Sequence, residues 1–168
     1  MTAKAKQDIE RIAPANVDAE RTILGSILLE CSCPEEIEHM GQWLATKVLD
    51  ADDFFLDSHR KIFQAMGELI EDGSAVDIIT VAERLDAKKE LADVGGRGYL
   101  CHLTEGLPHR LHLKSYVRIV KAKSLQRQLI TVCTLAVERA YEGVSGFEVI
   151  TQLTESLKEI EDTAKRGI

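Results

Sequence analysis

Three potential metal ligands, Cys31, Cys33 and His39, lie close together near the start of the chain. Thiolate and imidazole are groups that zinc prefers, but a structural zinc site needs four ligands at spacings that this stretch does not match. We therefore interpret Cys31 as a small apolar end to a first helix and Cys33 as a loop residue. A small metal-dependent enzyme using these three residues is an alternative that elemental analysis for a bound transition metal would test.

The remaining candidates for chemistry also lack a recognisable pattern. No serine or cysteine has a nearby histidine and acid in a nucleophile arrangement. The glycine cluster at 95–98 matches no phosphate-binding loop and is interpreted as a turn that enters a helix. We interpret His102, His109 and His112 as partly exposed loop residues, and His59 as a packing or capping residue. The sequence therefore predicts no catalytic residue, no metal site and no cofactor site in this chain.

Charge and cysteine content favour an intracellular protein that binds other proteins. The 168 residues include 21 lysines and arginines against 28 aspartates and glutamates, a formal charge of −7. This sign opposes binding to a phosphate backbone, so little direct nucleic-acid binding is expected. Four scattered cysteines are too few for a secreted disulfide framework. With no signal peptide and no apolar run long enough for a membrane, we expect a cytoplasmic protein without a membrane partner.

One local run of basic residues stands out in this acidic chain. It consists of Lys114, Arg118, Lys121, Lys123 and Arg127. On a helix these positions spread over more than one face, which favours a solvated surface rather than a binding patch.

Apolar residues recur at helical spacing along most of the chain, and no segment shows convincing strand alternation. We therefore predict an all-α protein with three parts. These are a flexible lead over residues 1–13, a compact helical bundle over residues 14–110 and a long helical hairpin over residues 111–168.

Several helix boundaries are predicted by local signals. Asn16 and Asp77 are expected to cap two helices, and Asp72-Gly73 is expected to end the helix that opens near Asp57 or Ser58. A further helix is predicted from Ser32 through Met40, Trp43 and Leu49. Gly25 lies inside the first helix, where glycine costs roughly 1 kcal/mol relative to alanine. This position predicts that another element passes close to the backbone.

The predicted hairpin carries an apolar seam on its second helix. Ile150, Leu153, Leu157, Ile160 and Ala164 follow one another at intervals of 3, 4, 3 and 4 residues, which draws a narrow stripe along one side of a helix. The chain reverses at residues 142–146, where Ser145 and Glu148 predict a capping box. The seam is expected to pack on the preceding helix, on a partner, or on both.

Five blocks, in order, resemble the N-terminal domain of bacterial replicative DNA helicases of the DnaB type. The blocks lie at residues 14–25, 53–63, 76–81, 94–100 and 116–121. The resemblance covers residues 14–165 and implies a small helical bundle followed by a helical hairpin. It also implies that hairpins pair between subunits and that the domains form a collar on a hexameric ring, where primase docks.

Because of this resemblance, we expect the hairpin to be the partner-binding surface. The interface residues that we predict are Leu129, Val132, Ala136, Ile150, Leu153, Leu157 and Ile160. The expected partners are a second copy of the chain, primase and the helicase motor domain. ATP and Mg would belong to that motor domain, which this sequence lacks, so the chain is expected to be non-catalytic. A free-standing regulator that binds another protein's helicase is the alternative.

Overall fold

The computed structural model describes residues 13–30, 48–107 and 112–166. These residues form six α-helices and one short 3-10 turn, with no strand among them. The helices are α1 (Val17–Glu30), α2 (Asp57–Glu71), α3 (Ile78–Ala87), α4 (Gly96–Thr104), α5 (Leu113–Tyr141) and α6 (Gly146–Arg166), and the 3-10 turn spans Ala51–Asp53. The predicted all-α fold is confirmed.

Local capping signals place the helix ends where the sequence predicts them. The Asn16 side chain accepts a hydrogen bond of 2.9 Å from the backbone N–H of Ala19, which caps α1. Asp77 accepts from the N–H groups of Ile79 and Thr80, and the Thr80 hydroxyl accepts from the N–H of Asp77, so α3 begins with a closed capping box. α2 ends at Glu71, and Gly73 follows with φ +67°.

The core is formed by helices α1, α2, α3 and α4 together with the N-terminal third of α5. Its most deeply buried side chains are Ile23, Leu24, Phe54, Ile62, Met66, Val81, Leu85, Leu100 and Leu103. α5 adds Leu113, Val117 and Val120 to the same cluster before it leaves the bundle. One continuous helix therefore belongs both to the bundle and to the hairpin.

α1 and α4 approach each other at Gly25. A Cβ atom built on Gly25 would lie 2.0 Å from the carbonyl oxygen of Leu103 and 3.1 Å from Cδ1 of Leu107. The predicted close approach of another element is confirmed, and that element is α4.

Some sequence predictions need correction, and others fall outside the described residues. Val48 and Leu49 lie outside any helix, although Leu49 is buried. His102 lies within α4 rather than in a loop. The lead up to residue 12, most of the predicted helix from Ser32, and His109 lie outside the described residues.

Candidate partner-binding surface of the hairpin

The hairpin consists of α6 folded back along the C-terminal part of α5. The chain reverses between them at Gly143, which has φ +83°. Val132 and Ala136 of α5 and Leu153 of α6 line one cleft of about 320 Å³ between the two helices, beside a hydrogen bond from Arg139 to Gln152. This row of side chains holds the hairpin together.

The predicted seam divides into a covered row and an exposed row. Leu153 and Ile160 are half-buried. Ile150, in contrast, is 65% exposed and Leu157 is 37% exposed. The first row therefore packs on α5, whereas the second faces outward.

Most large hydrophobic side chains that are exposed lie on this hairpin. They are Leu129, Ile130, Leu135, Val137, Tyr141, Phe147, Ile150 and Leu157. The predicted interface residues include Leu129, Ile150 and Leu157 of this set and do not include the other five. The seven-residue step from Ile130 to Val137 was an available signal for part of this set. Large contiguous apolar patches are typical of interaction sites, so these side chains make the hairpin the candidate partner-binding surface.

Each helix of the hairpin carries one row of apolar residues at seven-residue spacing. Ala122, Leu129 and Ala136 form the row on α5, and Ile150, Leu157 and Ala164 form the row on α6. A seven-residue step drifts by only about 20° around a helix, so each row keeps one face. The rows meet at the base of the hairpin, where Ala122 and Ala164 line the same cleft. We call the large, exposed members of these rows, Leu129, Ile150 and Leu157, the apolar face.

The base of the hairpin is tied to the bundle by two basic residues of α5. Arg127 donates to the carbonyl oxygens of Pro14 (2.9 Å) and Asp53 (2.5 Å). Lys121 Nζ lies 2.5 Å from the buried Asp53 carboxylate. The predicted solvated surface is therefore wrong for Lys121 and Arg127, which fix the direction in which the hairpin leaves the bundle.

A buried polar network joins α1, α2 and α4 inside the bundle. Glu20 Oε2 lies 2.8 Å from His59 Nδ1, and His59 Nε2 lies 2.7 Å from the Tyr99 hydroxyl. Glu20 Oε1 accepts the backbone N–H of Phe55 at 2.8 Å. An ionised carboxylate only accepts hydrogen bonds, so His59 donates to Glu20 from Nδ1, and an imidazole with its one hydrogen there accepts the Tyr99 O–H at Nε2. Burial raises the pKa of the Tyr99 phenol, which keeps that proton in place.

This network confirms that His59 is a packing residue. It also supplies hydrogen-bond partners to polar groups that would otherwise be buried without one. It joins three helices at fixed distances. Its described contacts all lie within the bundle, between α1, α2, α4 and the segment that precedes α2.

The proposed metal ligands receive no support from this part of the molecule. Among the described residues, no group of three or more histidine, cysteine, aspartate or glutamate side chains is placed to hold a metal ion. Cys31, Cys33 and His39 lie outside the described residues. In the described part of the chain, no helix has the length and apolar character needed to cross a membrane.

Comparison with known proteins identifies the family. The model of the DnaB-like helicase N terminal domain matches residues 12–122. The chain belongs to this family. The replicative DNA helicase DnaB of Geobacillus stearothermophilus is 32% identical over 157 residues, and the replicative DNA helicase DnaC of Bacillus subtilis is 35% identical over 157 residues. Each alignment covers 94% of this chain but only 32% of the relative, so the chain spans about a third of their length.

Solved structures agree with this assignment. The N-terminal domain of DnaB helicase from Mycobacterium tuberculosis superposes with a TM-score of 0.75 at 28% identity, covering 88% of this chain and 99% of that one. A DnaB-like replicative helicase, described together with its interactions with primase, superposes with a TM-score of 0.67 at 27% identity. That match covers 88% of this chain and 31% of the helicase. The predicted resemblance is confirmed.

Proposed function

We propose that this chain is the non-catalytic oligomerisation and docking domain of a replicative DNA helicase. It pairs with a second copy through the apolar face of the hairpin and takes part in a hexameric collar. ATP hydrolysis and its Mg ion belong to the motor domain of the parent helicase, which is a further partner of this domain.

The exposed row on the hairpin is the observation that carries this proposal. The bundle already has a closed core in which residues such as Ile23, Ile62 and Leu85 are fully buried. The hairpin instead leaves Ile150 and Leu157 in solvent, although its covered row is already packed. Transfer of apolar surface out of water stabilises association by roughly 25 cal/mol per Å², so a second apolar surface is the natural occupant.

Primase is the proposed docking partner. The support is the fold match to a helicase described with its interactions with primase. The formal charge of −7 also favours protein partners over direct contact with DNA. The expected location is cytoplasmic, where replication proteins of this family act.

The two rows of the seam allow a sharp test by aspartate substitution. Leu157→Asp places a charge in the exposed row, so we expect it to shift the protein towards monomer without lowering the thermal midpoint appreciably. Leu153→Asp places the same charge in the covered row and is expected to lower the midpoint, since a charge there opposes the packing of α6 on α5. Their combination is expected to show both effects.

Thr151→Asp is the matched control, because Thr151 is exposed on α6 and lies outside both rows. Light scattering over a range of concentrations reports the mass, and circular dichroism reports the midpoint. Self-association through this face is excluded if Leu157→Asp keeps the wild-type mass at every concentration.

A further inference from the structure

The chain enters the bundle beside the base of the hairpin. Arg127 of α5 donates from Nη1 to the carbonyl oxygen of Pro14 at 2.9 Å and from Nη2 to that of Asp53 at 2.5 Å. Cζ of Arg127 also lies 5.8 Å from the centre of the Phe55 ring. These contacts anchor Pro14 at one point on the hairpin, so the residues directly before it must leave from that point.

A cleft opens at the same point. It has a volume of about 320 Å³ and lies between the 3-10 turn, α5 and α6. Arg127 borders it, Val132 and Ile160 form its apolar lining, and the other lining residues are polar. Both apolar residues are half-buried. The cleft therefore offers an apolar floor at the place where the chain enters the bundle.

The rim of this cleft has an excess of negative charge. Asp52 and Glu159 border it and are exposed, and Arg127 is the one basic residue among the described residues that line it. Within residues 13–30, 48–107 and 112–166, neither Asp52 nor Glu159 forms an ion pair. Both Nη groups of Arg127 already bind carbonyl oxygens. A basic side chain is therefore the complementary partner for this rim.

The lead supplies both kinds of side chain that this cleft requires. Ile12 lies two residues before Pro14, and Arg11 lies three residues before it. Consecutive Cα atoms are about 3.8 Å apart, so the Cα atom of Ile12 is within about 7.6 Å of that of Pro14. Val132 is five residues from Arg127, or about 7.5 Å along α5. The anchor at Pro14 therefore keeps an apolar and a basic side chain within reach of the cleft.

From these observations we propose that the end of the lead docks in this cleft of its own chain. Ile12 packs on Val132 and Ile160, and Arg11 pairs with the acidic rim. A residue that precedes proline favours an extended backbone, in which side chains two apart project to the same side. Ile12 is thus directed to the same side as the half-buried Pro14. The lead then connects the 3-10 turn to both helices of the hairpin and helps to fix the direction of the hairpin.

The covalent connection favours the lead over an occupant from another molecule. A segment joined to its site by a short linker has an effective concentration of about millimolar, far above that of most free partners in dilute solution. A partner that binds at this cleft must therefore displace Ile12 first. The docked lead acts as a built-in competitor at the base of the hairpin.

An intramolecular disulfide tests this contact directly. On a background with all four cysteines replaced by serine, Ile12→Cys is combined with Val132→Cys, and the full chain is oxidised at low concentration. We expect a linked peptide pair by mass spectrometry from a chain that remains monomeric on non-reducing gels. Burial of one isoleucine side chain favours the docked state roughly tenfold or more, so the link should form at least about tenfold faster than in the control.

Ile12→Cys combined with Ile130→Cys is the matched control. Ile130 is 53% exposed and is nearer than Val132 to Arg127 along α5. It lies about 160° around the helix from Val132, on the side away from the cleft. A lead that samples the surface without docking reaches both positions alike, so the ratio of the two rates reports docking.

Cleavage by trypsin after Arg11 tests the acidic rim without cysteine chemistry. Asp52→Asn together with Glu159→Gln removes both charges of the rim. We expect cleavage after Arg11 to become about two- to fivefold faster, the effect of losing one exposed ion pair. Cleavage after Lys6 is the internal control and should not change. Glu155→Gln is the matched variant, because Glu155 is exposed on α6 but does not line the cleft.

Each outcome decides on the inference. Equal rates in the two double-cysteine variants, or no disulfide in either, overturn it, because the lead then does not occupy the cleft. A covalent dimer from the Val132 variant also overturns it, since the occupant is then the lead of a second copy. An unchanged rate of cleavage after Arg11 in the rim variant overturns the pairing of Arg11. None of these measurements requires self-association, so the inference and the proposed function fail independently of each other.

Discussion

Gly25→Ala is expected to destabilise the protein even though alanine is the better helix former. The added Cβ would lie 2.0 Å from the carbonyl oxygen of Leu103 and 2.9 Å from its carbonyl carbon. Both are backbone atoms of α4, so neither can turn aside as a side chain could. Ordinary contact between heavy atoms needs about 3.5 Å, so α1 and α4 must separate by roughly 1 Å or more.

The magnitude follows from two opposed effects. Overpacking a well-packed core typically costs about 1–3 kcal/mol. Because this clash involves buried backbone atoms, we expect a cost of about 3 kcal/mol. Replacing glycine by alanine inside a helix stabilises the helix by about 1 kcal/mol. The net loss is about 2 kcal/mol in the free energy of unfolding. For a chain of this size it corresponds to a thermal midpoint lower by roughly 4–8 °C.

Gly67→Ala is the matched control, since Gly67 also lies inside a helix, α2, but has nothing within 4 Å of the added Cβ. There only the helix effect applies, and the midpoint should rise by roughly 2–4 °C. Urea and thermal unfolding followed by circular dichroism measure both variants. If Gly25→Ala raises the thermal midpoint as Gly67→Ala is expected to do, α4 does not approach the backbone of α1 at Gly25 as closely as the structure shows.

Two further predictions concern the buried network and a helix cap. Glu20→Ala leaves the N–H of Phe55 and Nδ1 of His59 without their partner and should cost about 3 kcal/mol in urea unfolding, whereas Glu20→Gln, which keeps an acceptor and supplies a donor, should cost clearly less. Asp77→Ala removes the cap of α3 and should cost about 1 kcal/mol in thermal unfolding, while Asp86→Ala, exposed on the same helix, should change stability by less than about 0.5 kcal/mol.

Much of the helical bundle could be predicted from short stretches of sequence. The start of α2 at Asp57, its end before Asp72 and the capping role of Asp77 agree with the structure. Each of these features depends on residues within one or two helical turns, where apolar periodicity and capping chemistry act directly. The close approach at Gly25 was also predictable, because a glycine inside a helix indicates a space constraint.

Long-range polar contacts were not predictable in the same way. Glu20 reads as an acid that suits the first turn of a helix, yet it is buried and bonds His59, which lies 39 residues further along the chain. Its spacing of three and four residues from Ile23 and Leu24 placed it on the apolar side and was a usable signal. No residue near Glu20 in the sequence indicates that His59 is its partner. Lys121 and Arg127 were misjudged for the same reason, since Asp53 and Pro14 are distant in sequence.

The seam of α6 shows why spacing alone could not assign the partner-binding residues. Intervals of 3 and 4 residues combine two rows, one through Leu153 and Ile160 and one through Ile150, Leu157 and Ala164. An isolated hairpin offers α6 one neighbouring helix, which covers the first row and leaves Ile150 and Leu157 exposed. The covered row can therefore be expected to govern the stability of the fold, and the exposed row to govern association. Only the three-dimensional arrangement separates the two, and it does so within one helix.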